Sequence, residues 1–405
     1  MDAAARLQVI RELCSYEDRL AGTDAERRAG SWLAKRLRDG GRQVEVEPTH
    51  VHPQYALVQA AHCLLGLAGS LVAIASPPAG FAIVLVTAAS MYFDLNAGTY
   101  LLRRLFFRRA SQNVVSPGRR ANAPARLFLC AHYDAARTGP FFRPGTIARF
   151  TRLARLSPLP LGPFRILFWS LAALLPVLGA RLAGADSTLI SVLQLIPTLI
   201  LLVGILMLVN VELSDVVPGA NDNASGVATV LSLAEELAPD PPENLDVGIL
   251  LAGGGECLME GIRGFLRAHR KELDREATYF LNIESVGCGE VRYVTGEGHA
   301  VSFGMDRRVI ELCDAVASAT RNPGRRPGAQ PLRWGFASDA LPVRLARYPC
   351  TTITTIERGS LVPAAYHRLD DVPDRIDPGT LDRAHGFALD LVRALDRDVG
   401  RRHRR

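Results

Sequence analysis

Five side chains of types that hold divalent metals are spread along this chain: His132, Asp222, Glu256, Glu284 and His367. Each alone has an ordinary reading. A His-x-Asp pair such as His132 and Asp134 is commonly a solvated loop. Asp222 lies in GANDNASG (219–226), where Asn223 or Ser225 serves as a helix cap. Glu256 and Glu284 read as surface carboxylates, and His367 as a loop histidine. Together they make two imidazoles and three carboxylates, a set suited to two zinc ions. One acid would bridge, and each ion would keep one histidine and one further acid. Such a pair performs hydrolysis with metal-activated water. Asp134 follows His132 at i+2, so it can accept the other ring N–H and fix the tautomer in support of catalysis.

These side chains can act together only if the fold gathers them. Ala125 to Ala131, Asp246 to Ala252, Ala277 to Ile283 and Cys350 to Ile356 are short apolar or β-branched runs, as buried parallel strands are. Helical periodicity covers Asp24 to Arg38, Val227 to Leu237 and about Gly261 to Lys271, and Gln43 to Glu47 alternates like a strand. The alternation predicts an α/β fold, a three-layer domain with a mainly parallel sheet. Ligands of such sheets bind at the carboxyl ends of the strands. His132, Asp134 and Glu284 follow predicted strands, Glu256 follows one after the Gly253-Gly254-Gly255 loop, and His367 follows the last one by a short loop.

Four stretches are long and apolar enough to cross a bilayer: Tyr55 to Ser76, Ala79 to Leu95, Phe164 to Leu182 and Thr188 to Val211. They predict two transmembrane hairpins, 55–95 and 164–211. The second span ends in Tyr92, Phe93 and Tyr100 and then Arg103, Arg104, Arg108 and Arg109, an aromatic belt followed by cationic anchors. The arginine-rich arm and middle segment place the polar parts on the cytoplasmic side of the cell membrane. An even number of crossings leaves them in one compartment. A peptidase-like domain is then assembled from 1–54, 96–163 and 212–397, followed by a basic tail at 398–405.

Seven cysteines without paired spacing read as reduced thiols. The net charge of +6 comes from arginine without any basic stripe interleaved with aromatics, so nucleic acid is not an expected partner. The expected partners are a peptide substrate and the lipid bilayer; the sequence does not fix an oligomeric state.

Outside the spans the chain resembles the metallopeptidases of family 28, the co-catalytic zinc aminopeptidases. The resemblance is carried by DRLAGTDAERRAGSWLAKRLRDGG, SQNVV (111–115), AHYD, GANDNASG, GGGECLMEG, FLNIES and YHRLDD, in that order. It implies two zinc ions held by His132, Asp222, Glu256, Glu284 and His367, with Asp222 bridging, and release of a terminal amino acid from peptides. One departure stands out. The family carries two consecutive glutamates, a general base and then a ligand. The gapless register puts Gly255 at the base and Glu256 at the ligand. A one-residue gap makes Glu256 the base and Cys257 a thiolate ligand. The gapless register leaves three consequences open: a slow enzyme, a base from elsewhere such as Glu260, or a catalytically impaired scaffold. In that register a glutamate at 255 restores the base. A transporter with a regulatory hydrolase-like domain ranks last, since Asp94 is the one acid near a span. Loops such as 296–306 and 321–340 are expected to wall the substrate pocket.

Overall fold

The predicted apolar runs form strands because their β-branched and aromatic side chains fill both faces of one sheet. The computed structural model describes residues 1–120, 122–157, 159–319 and 328–404, so part of the 321–340 loop (321–327) lies outside the described residues. Among the described residues the strands are β1 Glu45–Val51, β2 Arg109–Ser116, β3 Ala125–His132, β4 Leu245–Ala252 and β5 Thr278–Ile283. They continue with β6 Glu290–Glu297, β7 Phe303–Gly304, β8 Gln330–Arg333 and β9 Cys350–Ile356. The order across the sheet is β1-β2-β4-β3-β5-β9-β6-β7, with β8 beside β6. The central four, β4-β3-β5-β9, run parallel, while β1, β2 and β6 add antiparallel neighbours, so the sheet is mixed around a parallel centre.

The helices are α1 Ala3–Cys14, α2 Asp24–Asp39, α3 Tyr55–Ala75, α4 Pro77–Tyr92, α5 Pro144–Ala154 and α6 Pro163–Leu182. The second half of the chain adds α7 Thr188–Leu213, α8 Gly226–Glu236, α9 Glu260–His269, α10 Arg307–Ala319, α11 Ala340–Leu345 and α12 Pro378–His403. Alternation along β3 separates two cores. Leu127, Leu129 and Ala131 pack with α1, α2, α8, α10 and α12, and Phe128 and Cys130 face the other side with α9 and α11. Residues 398–403 of the basic end form the last turns of α12, where Asp398 pairs with Arg308 of α10 at 2.7 Å and with Arg402 at 3.4 Å.

Four helices are long and apolar enough to cross a membrane, corresponding to the two predicted hairpins. They pack as a bundle, α3 on α4 and α7, α6 on α4 and α7. Close approach is secured by small residues: a Cβ on Gly80 of α4 would lie 2.4 Å from that of Ala73 on α3. Polar side chains inside the bundle find partners across helices. Ser70 meets Thr198 at 2.7 Å, and the Gln194 amide donates to the Ser70 carbonyl at 2.6 Å. The bundle shares its buried apolar cluster with one face of the sheet, from Cys63 and Leu171 to Phe265 and Phe280.

Arg103 sits where bundle and sheet join, and it is fully buried. Its guanidinium grips both oxygens of Asp94, at 2.8 and 2.7 Å, and donates to the Cys257 carbonyl at 3.3 Å. Asp94, predicted as the one acid near a span, is therefore neutralised in place. Removing one partner of a buried pair costs about 3–5 kcal/mol. Arg103→Ala is expected to lower the melting temperature in detergent accordingly, and Asp94→Leu combined with Arg103→Met to recover part of that loss.

Candidate metal centre

The parallel centre of the sheet explains how residues far apart in sequence meet. β4, β3, β5 and β9 are neighbours and point the same way, so their carboxyl ends share one edge. His132 is the last residue of β3, Glu284 follows β5, Glu256 lies in the loop after β4, and His367 in the loop after β9. Asp222 is delivered by the turn that opens α8. Ligand atoms of His132, Asp222 and Glu284 all lie within 4.8 Å of one another, and so do those of Asp222, Glu256 and His367. Asp222 belongs to both triads. Cys257 belongs to neither: it is fully buried, and burial pushes its thiol well above its usual range.

The spacing within the triads is informative. Asp222 Oδ1 is 3.6 Å from His132 Nε2, and Asp222 Oδ2 is 3.4 Å from His367 Nε2. His367 Nε2 is also 3.4 Å from Glu256 Oε2. These separations exceed good hydrogen bonds of about 2.7–3.2 Å. They match the ~3.4 Å between tetrahedral ligand atoms bonded to one zinc at about 2.0–2.1 Å.

The electrostatics of the donor set fit a cation. Burial pushes Glu256 well above the usual carboxylate range, and the Asp222 charge adds to it. Glu284 rises for the same reasons against the pull of His132. Burial works to raise Asp222 too, but His132 and His367 hold it well below its usual range. Three carboxylates and two imidazoles gathered in a buried site suit bound cationic charge better than any arrangement of protons.

Four of the five donors are held from behind, whereas the buried Nδ1 of His367 has no hydrogen-bond partner among the described residues. Asp134 is fully buried, accepts N–H groups from Gly255 at 2.8 Å and Glu256 at 3.1 Å, and lies 3.3 Å from His132 Nδ1. One carboxylate thus orients both the imidazole and the loop bearing Glu256. Asp371 accepts the N–H groups of Asn221 at 2.8 Å and Asp222 at 3.0 Å, and its own carboxyl is pushed up to about 7 by burial. Ser285 Oγ donates to Asp222 Oδ1 at 3.1 Å, and the Asn282 amide to Glu284 Oε2 at 3.0 Å. Glu26, from α2, accepts the Gly254 N–H at 2.9 Å.

Two alternatives for the missing base meet obstacles in the structure. Glu260 belongs to neither triad, and its carboxylate is engaged elsewhere. It accepts from the His52 ring at 2.8 Å and lies 3.5 Å from Arg103, which together hold it below its usual range against burial. A glutamate at 255 does not fit either. A Cβ there would fall 2.4 Å from both Cβ and Cγ of His132, the rigid near end of that side chain. Sequence reading missed Asp339, at the start of α11. It is buried, neither of its oxygens has a hydrogen-bond partner, and burial raises its carboxyl to about 6 while the charge of His132 pulls it down. Its ASDALP context carries no pattern that separates it from a helix cap, so no signal pointed to it.

Comparisons with known proteins bear on the fold and on the segment that carries most of these donors. Residues 208–392 match the family model of peptidase family M28. Putative endoplasmic reticulum metallopeptidase 1-A of Caenorhabditis elegans is 27% identical over 183 residues, 44% of this chain. The matched segment spans only 19% of that protein's length. A zinc-dependent exopeptidase from Parabacteroides distasonis superposes with a TM-score of 0.53 at 13% identity, covering 98% of this chain and 97% of that one. The zinc aminopeptidase BSAP from Bacillus subtilis gives 0.55 at 14% identity, over 96% and 94%. A glutaminyl cyclase from Tannerella forsythia gives 0.55 at 15% identity, over 97% and 98%. At these identities the structural likeness shows the fold. Residues 208–392, the segment similar to peptidase family M28, carry four of the five clustered donors.

Proposed function

We propose that this protein is a membrane-bound zinc metallo-exopeptidase that hydrolyses a terminal peptide bond with metal-activated water. The observation that carries the reading is the carboxylate of Asp222, common to two triads of buried donors. His132, Asp222 and Glu284 would hold one ion and Asp222, Glu256 and His367 the other. Zinc in such a site polarises a carbonyl and lowers the pKa of a bound water to about 7.

The chain's own residues do the positioning. Asp134 turns His132 so that Nε2 faces the cluster, and it fixes the Gly255–Glu256 loop through two backbone bonds. Asp371 fixes the turn bearing Asp222 from the opposite side. Asp339 is the carboxylate assigned here to take the proton from water. It is buried, its oxygens are uncommitted, and it feels the charge of His132. The four apolar helices embed the protein in a bilayer, and the arginine-rich connectors keep the peptidase-like domain on the cytoplasmic side. The peptidase family and the zinc exopeptidases of like fold support a peptide substrate.

A second reading, a catalytically impaired member of the family, is favoured by one observation: Gly255 leaves no room for a carboxylate side chain beside His132. One experiment separates the two. The detergent-purified protein is expected to hold two zinc ions and to release amino acids from short peptides until a chelator is added. Glu256→Ala should lose one zinc ion together with turnover. Zinc retention without any turnover favours the impaired reading.

Gly255→Glu is expected to displace His132 and weaken zinc binding about 10–100-fold, the usual effect of disturbing a ligand's support, as metal titration would show. Asp339→Asn is expected to lower kcat by about 10²–10⁴-fold while zinc content stays at two. Unchanged kcat in that variant removes Asp339 from the role.

A further inference from the structure

A cavity of about 390 Å³ begins at the metal centre and runs into the helical bundle. At one end its wall is His367 and Tyr366, rings 4.0 Å apart. Further along it is lined by Phe142 and Phe336, and at the other end by Leu199 and Val203 of α7. Leu199 and Val203 are 49% and 52% exposed, so the cavity opens between them to whatever surrounds the bundle. They stand midway along a 26-residue apolar helix, the depth of the hydrocarbon layer if α7 spans. Val211, also in the wall, is twelve residues further on, so the lined length of α7 is about 18 Å. The volume falls within the range of about 300–1,000 Å³ typical of small-molecule sites.

The walls select against a peptide main chain. Each residue brings an N–H and a C=O that need partners once buried. The side chains along the passage between Phe142 and Val203 are aromatic or aliphatic. His299, also in the lining, packs edge-on against Phe164, and its imidazole is held neutral, at about 3, by burial and by Arg263 and Arg165. A hydrocarbon chain has no polar group to satisfy. It would enter from the bilayer with little change of surroundings, leaving a polar amide beside His367.

Resting on the hydrolase reading above, we propose that this cavity takes the hydrocarbon chain of a membrane-resident N-acyl amino acid and presents its amide to the metal centre. Hydrolysis there breaks the amide C–N bond. The water hydroxyl goes to the acyl carbon and the proton to the amine nitrogen, giving a fatty acid and a free amino acid. The bilayer concentrates such a substrate, and the cavity supplies the orientation.

The test uses the full chain in mixed micelles with N-acylglycines of two, eight and sixteen carbons, a short dipeptide, and a hexadecanoylglycine bearing a photoreactive diazirine on its chain. kcat/KM is expected to rise about tenfold or more from the shortest to the longest acyl chain, the scale on which apolar pockets discriminate. The photolabel should map to 199–211 and to Phe336, and be competed by hexadecanoylglycine but not by acetylglycine or phosphatidylcholine. Val203→Trp, which narrows the mouth on an exposed face, should abolish both the labelling and the chain-length dependence while dipeptide turnover persists. Labelling elsewhere, or equal competition by phosphatidylcholine, overturns the proposal, the latter marking a structural lipid. Dipeptide cleavage with neither binding nor cleavage of any acylglycine overturns it too. Competed labelling in the cavity without hydrolysis of any amide supports the cavity assignment and instead sinks the hydrolase reading.

Discussion

Three carboxylates held within a few ångströms of each other and out of water repel one another and lose their hydration. That arrangement is sustained only by positive charge at the centre and by hydrogen bonds from behind. Much of the structure around the site follows from this. Asp371 and Ser285 fix Asp222, Asn282 fixes Glu284, and Asp134 fixes His132 together with the loop of Glu256. The parallel order of β4, β3, β5 and β9 makes the clustering geometrically available, because it brings four strand ends to one edge.

The sequence made this centre legible because strand ends are marked by composition. ARLFLCA, DVGILLA, ATYFLNI and CTTITTI each stop where a polar residue begins, and the donors stand at those borders. The four long apolar helices were legible for the same reason, since such runs stand out by composition alone. What escaped was set by contacts across the chain. β6 is largely buried and β8 largely exposed, and both carry mixed residues whose pairing comes from their neighbours, not from their own pattern. Glu260 reads like a spare base until its partners His52 and Arg103, from distant segments, are seen around it. Asp339 carries no local mark at all; only its burial and its two uncommitted oxygens single it out.

Gly255 shows how a substitution and its surroundings become a unit. With no side chain there, His132 has settled into the space a Cβ would need, and the Gly255 and Glu256 N–H groups both reach Asp134. The loop is thus adapted to lacking a side chain, and reversing one residue does not reverse the adaptation. The buried carboxylate with two uncommitted oxygens, Asp339, stands on a different element, at the N-terminal cap of α11.

The two hairpins interrupt the sheet domain in chain order, and this constrains how the protein comes into being. β3 and His132 are made before α6 and α7, while Asp222, Glu256, Glu284 and His367 are made after them. During synthesis the donors cannot meet until the second hairpin has left the ribosome and found its place beside the first. The buried cluster common to bundle and sheet means that this docking also completes one face of the domain. Synthesis of the second pair of apolar helices therefore precedes assembly of the donor cluster, and a chain stalled before α7 would hold His132 alone of the five donors.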